Sequence, residues 1–269
     1  MATRSAIINV MAKAADKAAR SLKRDFGEVS QLQVSLKGPG DFVTNADLKS
    51  ERTLRDELQK ARPNFGFLME ESGEIPGTDP DHRWIVDPLD GTTNFLHGLP
   101  HFAISIALEQ KGEIIAGLVY DPAKDELFWA EKGFGAFCND RRMRVSGRKH
   151  LPESLLATGI PFIAHGDHPR FLRQLEGAMR ETAGVRRLGA AALDLAYVAA
   201  GRYEGFWEEG LSVWDMAAGI ILVREAGGYV SDMRGGQTMF QTSSILATNS
   251  TLHAPLQALL GNPDAASTR

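Results

Sequence analysis

The residues of this chain best suited to chemistry are carboxylates, and the most informative segment is Trp84-Ile85-Val86-Asp87-Pro88-Leu89-Asp90-Gly91-Thr92-Thr93-Asn94-Phe95. An apolar strand brings Asp87 to its C-terminal end, and Pro88 biases Asp87 toward extended backbone. The chain is then expected to turn through Asp90-Gly91 into the start of a helix. Two carboxylates three residues apart across such a turn can face one ion, and hard oxygen donors suit magnesium. The amides of Gly91 and Thr92, at a helix N-terminus, would suit a phosphate. The segment alone leaves a plainer reading open, in which Asp90 caps the helix and Asp-Gly is an ordinary turn.

Other acids arrive in similar settings. Glu70 and Glu71 end a buried strand, Asp47 stands three residues after Thr44, and Asp215 stands three after Ser212. The last two spacings fit a capping box, in which the acid serves backbone donors. Taken singly, each acid is more often structural than catalytic, so a metal role needs convergence that spacing does not reveal. His97 and His101 flank Gly98-Leu99-Pro100 but are poor candidates for a magnesium site, which oxygen donors satisfy. Cys138 reads as buried packing. The basic run Arg141-Arg142-Met143-Arg144, continued by Arg148-Lys149-His150, reads as a solvated hairpin edge or as a patch for RNA or an anionic partner. Arg186 and Arg187 fit either an interface or phosphate steering.

These acids need a scaffold. Ile7, Ile8, Met11, Ala15, Ala18, Ala19 and Leu22 recur at helical spacing. A strand is expected around Leu32 to Leu36, then a loop from Lys37 to Asp41. A helix capped by Thr44 is expected to run to Ala61, with Pro63 closing it. A strand over 65–69, a loop over 73–81 and a strand over 83–86 follow. Alternating Phe102, Ile104, Ile106 and Leu108 open an antiparallel meander that continues through 114–120, 126–130 and Phe137. Beyond residue 150 come a strand at 157–160 and a helix at 170–180. An Ala-rich helix at 190–200 precedes a strand at 204–208, and Ser212 starts a helix that Gly227-Gly228 stops. Strands near Tyr229 and Ile245, a helix from Leu252 and a disordered tail from Gly261 complete the pattern. This is α+β structure in two halves, 1–148 with most of the acids and 149–269 with Asp215.

Composition sets bounds on function. Of 269 residues 43% are hydrophobic and 24% charged, as in ordinary globular chains, and one cysteine excludes an internal disulfide. The net charge of -4 argues against broad nucleic-acid binding. Residues 1–20 carry too many charges for a signal peptide or a membrane span, which points to the cytoplasm and no membrane contact.

The segment Asp87 to Phe95 resembles the signature of the inositol monophosphatase family. Trp214-Asp215-Met216-Ala217-Ala218-Gly219 with Glu225-Ala226-Gly227-Gly228 resembles its second signature. Asp41-Phe42-Val43-Thr44-Asn45-Ala46-Asp47 and Glu70-Glu71-Ser72-Gly73 resemble its two upstream motifs. The four stand in the family's order over nearly the whole chain, and the likeness is greatest to bacterial members.

The resemblance implies the layered αβαβα sugar-phosphatase fold shared with fructose-1,6-bisphosphatases, and a phosphatase using two or three Mg2+ ions. Glu70, Asp87 and the Leu89 carbonyl would bind one ion and Asp87, Asp90 and Asp215 a second, with Glu70 sharing in a weaker third. Asp47 and Thr92 would pair beside the attacking water, with Glu71 behind the metal ligands or, as the lesser alternative, a minor ligand itself, and Asp41 holding its loop; Lys37 would lie on a mobile loop. Asp90, Gly91, Thr92, Gly189, Ala191, Glu208 and Asp215 would meet the substrate, a small phosphate ester with inositol 1-phosphate foremost. Fructose 1,6-bisphosphate, histidinol phosphate and NADP are the alternatives. Ala190 stands where the family often has Thr, which removes one side-chain contact. The resemblance further implies lithium sensitivity, a homodimer and, from some bacterial relatives, contact with the transcription machinery or RNA.

Overall fold

The computed structural model describes residues 4–28, 34–38, 41–163 and 165–261, the side chains of 34–38, 41 and 42 excepted. The expectations for Leu32, the side chains of Lys37 and Asp41, and the tail 262–269 lie outside what is described.

Helices Ala6–Phe26 and Asn45–Ala61 bury the apolar stripes that their sequences carry. They pack on one another and on one face of an eight-stranded sheet. Its order is Arg141–Arg142, Gly135–Cys138, Glu126–Glu131, Glu113–Asp121, Ala103–Gln110, His82–Asp90, Gly66–Met69 and Gly73–Ile75. Only Gly66–Met69 and His82–Asp90 pair in parallel; the remaining pairs are antiparallel.

Both faces of this sheet are covered, and strand Ala103–Gln110 shows how. Ile104, Ile106 and Leu108 enter the core beneath the first two helices, while Ala103 and Ala107 enter a second core on the opposite face. Small side chains on that second face let helix Val213–Glu225 approach closely. Helix Ala191–Ala199 packs beside it, and together they form a middle layer.

Beyond that layer lies a five-stranded sheet ordered Gly184–Arg186, Leu155–Thr158, Gly205–Glu209, Ser244–Asn249 and Gly228–Ser231. Its first three strands are parallel, and Ser244–Asn249 runs antiparallel to both of its neighbours. Helices His168–Glu181 and His253–Gly261 close the outside over a third apolar core. The layers therefore run αβαβα. No helix among the described residues is long and apolar enough to cross a membrane.

Several local expectations are corrected. The loop expected at 73–81 begins with a short strand, Gly73–Ile75, that hairpins back on Gly66–Met69. Lys37, Gly38 and Asp41 belong to the paired strands Val34–Gly38 and Asp41–Thr44 rather than to one loop. Gly184–Arg186 and the short helix Met239–Thr242 have no counterpart in the periodicity reading. Most consequential, no tight turn separates Asp87 from Asp90. The strand runs on to Asp90, and its register against Ala103–Gln110 shifts between the two acids. Pro88 lacks the N–H that a regular ladder needs, so the strand is interrupted there and does not end.

Sheet and middle layer approach closely at Gly117. A Cβ there would lie 2.5 Å from Ile221 Cγ2 and 2.8 Å from the Ala218 carbonyl oxygen. The helix backbone does not yield as a side-chain tip does. Gly117→Ala should therefore destabilise the protein by about 1–3 kcal/mol, the usual effect of overpacking, read from urea unfolding curves. Unchanged stability would mean that this helix is not seated as described.

Candidate active site

Each acid is delivered by an element end. Asp47 is the third residue of helix Asn45–Ala61, and Thr44 caps that helix. The Asp47 carboxylate accepts from the Thr44 amide at 2.9 Å and from its hydroxyl at 2.5 Å, both through Oδ2. Its other oxygen, Oδ1, accepts from the Thr92 hydroxyl at 3.0 Å. That hydroxyl also lies 3.0 Å from the Leu89 carbonyl oxygen. The capping box expected from spacing and the Asp47–Thr92 contact implied by the resemblance are thus present in one side chain. Asp215 likewise accepts from the Ser212 amide at 2.7 Å at the start of helix Val213–Glu225.

Asp87 is buried, and its Oδ1 accepts from the Leu89 amide at 2.9 Å. Asp90 Oδ2 accepts from the Ala192 amide at 2.8 Å, so the start of helix Ala191–Ala199 is turned toward this acid. Glu70 leaves strand Gly66–Met69, its amide bonded to the Val86 carbonyl. Gly91 has φ 88°, and a Cβ there would meet the His101 carbonyl oxygen at 3.0 Å, so glycine is required at this corner. Helix Thr92–Leu96 begins immediately afterwards.

A cleft of about 470 Å³ opens above these residues. Asp90, Gly91, Thr92, Gly189, Ala191, Glu208 and Asp215 all line it, joined by Arg187. Glu208 comes from strand Gly205–Glu209 and Arg187 from just beyond Gly184–Arg186, so both sheets contribute. Among the described residues Arg187 is the only basic one in the wall, whereas Arg141 and Arg142 form an exposed sheet edge away from it. His97 and His101 do not line it. The His101 ring packs against Tyr197, and its pKa is pushed down to about 4 by burial and then by nearby Lys124. Cys138 is half-buried, and burial pushes its thiol up.

The electrostatics show how these acids act on one another. Burial holds Asp87 well above the ordinary carboxylate range, and the charges of Glu70, Asp90 and Asp215 raise it further. Asp90 is pushed up to about 7, first by burial; the Ala192 amide opposes this, while Glu208 and Glu70 add to it. Glu208 is pushed up to about 8 by burial and then by Asp215, with Arg187 opposing. Burial also raises Asp47, against the pull of its bonds from Thr44 and Thr92.

Among the described residues no three His, Cys, Asp or Glu side chains are already closed into ion-holding geometry. The donor set nevertheless fits a hard divalent cation. It consists of the Leu89 carbonyl oxygen and of carboxylates, Asp87 buried and Glu70, Asp90 and Asp215 half-buried, whose ionised forms repel one another.

Other residues of the site were not singled out from sequence. Ser50 donates to the Pro88 carbonyl at 2.8 Å, fixing the interrupted strand to the second helix. Glu51 is buried and receives the Glu71 amide at 2.8 Å together with the Ser72 hydroxyl, which holds the turn after Glu70. Asn94 donates to the His101 and Leu188 carbonyls, each at 2.8 Å, tying the short helix to the segment before Gly189. Asp194 is buried with one oxygen lacking a hydrogen-bond partner among the described residues, and burial, Glu208 and Asp90 raise its pKa. Asn94 stood inside the quoted motif, and Glu51 lies one helical turn after Asp47; for Asp194 only burial distinguishes it.

A sequence profile of the inositol monophosphatase family matches residues 3–262. The curated Inositol-1-monophosphatase of Mesorhizobium japonicum is 60% identical over 260 residues, 97% of this chain and 98% of that protein. The Nus factor SuhB of Escherichia coli strain K12 is 45% identical, over 95% of each chain. The native crystal structure of extragenic suppressor protein suhB from Bartonella henselae superposes with a TM-score of 0.93 at 59% identity, covering 95% of this chain and 98% of that one.

The raised acids have a measurable consequence. A carboxylate whose folded pKa lies above its unfolded value binds more protons when folded, so its contribution to stability falls as pH rises between the two values. For Asp90 that window runs from 3.8 to about 7, and for Glu208 from 4.5 to about 8. In chelator, Asp90→Asn should therefore gain melting temperature relative to wild type as pH rises from 5 to 8. Added Mg2+ should raise the wild-type melting temperature more at pH 8 than at pH 5, and Asp90→Asn should lose most of that increment. Equal Mg2+ increments at both pH values would contradict a cation bound to these acids.

Proposed function

Since the chain belongs to the inositol monophosphatase family, and is thus a phosphatase acting on a phosphate ester, we propose that it is a Mg2+-dependent enzyme that hydrolyses inositol 1-phosphate to inositol and phosphate. One observation carries this reading: Asp90, three residues along the same strand, and Glu70 and Asp215, from two other segments, all lie near enough for their charges to act on buried Asp87, and Asp90 and Asp215 line the cleft. Glu70, Asp87 and the Leu89 carbonyl would hold one ion, and Asp87, Asp90 and Asp215 a second; Glu70 would share in a weaker third, which lithium would contest. Bound magnesium would neutralise the acids, attract the phosphate and acidify the attacking water.

The chain's own groups do the rest. Thr92, fixed between Asp47 and Leu89, orients the water, and Asp47 or Glu70 accepts its proton. The amides of Gly91 and Thr92 receive charge developing on the phosphoryl oxygens. Attack in line with the departing alkoxide needs no phosphoenzyme. Gly189 and Ala191 contact the ring, and Glu208 accepts hydrogen bonds from its hydroxyls, which favours a polyol over histidinol phosphate or NADP. Arg187 supplies the cation that draws an anionic ester into an acidic cleft.

Hydrolysis of inositol 1-phosphate with and without Mg2+, and with Li+ added, tests the reading. Thr92→Val should lower kcat by about 10²–10⁴-fold with little change in KM and an unchanged circular dichroism spectrum. Absence of turnover of any small phosphate ester in Mg2+ would remove the proposal.

A second, non-catalytic role in the transcription machinery is supported by the likeness to a Nus factor and by the exposed Arg141–Arg142 edge. A homodimer is supported by exposed Leu172 and Met179, two turns apart on helix His168–Glu181. The single cysteine suits a cytoplasmic location. Sedimentation velocity should give twice the 29.3 kDa chain mass. Capture of RNA polymerase from a cell extract should weaken in Arg141→Glu/Arg142→Glu; a monomer, or capture indifferent to this change, would refute the respective reading.

A further inference from the structure

One turn of helix Asn45–Ala61 buries three polar side chains on the face where an amphipathic helix ordinarily places apolar ones. Asp47, Ser50 and Glu51 are 0%, 0% and 4% exposed, and spacings of three and four residues put them on one side. Burying a polar group is unfavourable unless it is hydrogen-bonded. All three are, and each reaches a different segment of the site. Asp47 meets Thr92, Ser50 meets the Pro88 carbonyl, and Glu51 meets the residues that follow Glu70.

Those residues form the loop of a hairpin. Met69 pairs with Gly73 across it, so residues 70–72 alone make the connection, and Gly73 leaves it with φ 69°. The Glu51 carboxylate caps this loop from the helix side. Its Oε2 accepts from the Glu71 amide at 2.8 Å and from the Ser72 amide at 3.4 Å, while Oε1 accepts from the Ser72 hydroxyl. At the other end the Glu70 amide donates to the Val86 carbonyl at 3.2 Å, one residue before Asp87. The backbone around Glu70 is thus held from both sides, by the strand that carries Asp87 and by the helix that carries Asp47. Removing the Glu51 side chain would leave the second hold without its acceptor.

Both oxygens of Glu51 already accept from this loop, which suits a support and not a ligand. We propose that Glu51 is a positioning residue of the metal site, one that sets the direction of the Glu70 carboxylate and with it the affinity for Mg2+. The inference rests on the Mg2+-dependent reading above and adds to it a residue that touches neither ion nor substrate. Groups that orient a metal ligand from behind contribute about 10–100-fold in affinity.

Mg2+ binding to the full chain is measured by isothermal titration calorimetry, beside the Mg2+ dependence of inositol 1-phosphate hydrolysis. Glu51→Ala should weaken binding about tenfold or more. The Mg2+ concentration for half-maximal rate should rise by the same factor, with kcat at saturating Mg2+ much less affected. Glu51→Gln keeps an oxygen for the two amides and offers an N–H to the Ser72 hydroxyl oxygen, so it should restore binding to within about threefold of wild type. Leu58→Ala, in the apolar core two turns along the same helix, is the stability control. It should lower the urea midpoint and leave Mg2+ affinity unchanged.

Unchanged Mg2+ affinity in Glu51→Ala would overturn the positioning role. So would binding in Glu51→Gln as weak as in Glu51→Ala, since a ligand, and not a support, depends on the charge itself. An equal weakening in Leu58→Ala would reduce the effect to stability and overturn it as well. Should Glu51→Ala fail to fold, Ser72→Ala removes one of the three bonds and should still weaken Mg2+ binding measurably; no change there would count against the proposal. Absence of Mg2+ binding to the wild-type protein would instead strike the Mg2+ reading on which the inference rests.

Discussion

Buried Asp87 feels the charges of three half-buried carboxylates, Glu70, Asp90 and Asp215, and this repulsion is the constraint around which the rest of the structure is arranged. Bringing ionised groups together away from water is unfavourable unless something compensates. Burial and neighbouring charge both act on Asp87 in the same direction, and the Leu89 amide opposes them only in part. Protonation or a divalent cation can relieve the repulsion. A cation does so while keeping every oxygen available as a ligand, which makes the donor set chemically legible.

The fold supports this arrangement by fixing the acids on backbone that is itself well held. Asp87 and Asp90 sit on either side of a register shift in a central strand, and Ser50 clamps the carbonyl between them. Ala192, at the start of the middle-layer helix, donates to Asp90 across the interface between the two halves of the chain. Asn94 links the same halves through the Leu188 carbonyl. Relative movement of the two halves would therefore strain the contacts that hold Asp90 and the short helix beside it. The tight contact of Gly117 with helix Val213–Glu225, which carries Asp215, opposes such movement.

Much of this was legible in residue order because it depends on local rules. Alternation gave the meander, helical periodicity gave the first helix, Pro63 marked the end of the second, and Thr44 and Ser212 marked starts that the structure retains. The errors lie where tertiary pairing overrides local signal. The turn at Gly91 into a helix is present, but the two acids read as lying across a tight turn, whereas the strand persists from Asp87 to Asp90 because its neighbour Ala103–Gln110 continues to pair beyond the bulge. Gly73–Ile75 has too few residues for a periodic signal and exists because Gly66–Met69 offers an edge. Glu51, Ala192 and Asp194 owe their importance to what they approach across the fold, which no spacing along the chain encodes. Gly159 is the clearest case, since its lack of a side chain matters only because Glu208, from a neighbouring strand, fills the room.

The capping and catalytic readings of the acids, which stand as alternatives in the sequence, prove compatible in space. A carboxylate has two oxygens, and a capping box engages one of them. Asp47 uses Oδ2 to hold Thr44 at the helix start and presents Oδ1 to Thr92. The cap thereby fixes the rotamer of the group that must orient the threonine hydroxyl, at no added cost in side-chain freedom. Asp215 follows the same pattern at Ser212, with its helix start directed at the cleft. Helix capping here is the means of aiming an acid. The same economy explains why residue types that are commonplace at helix starts recur in a site whose chemistry depends on their direction more than on their identity.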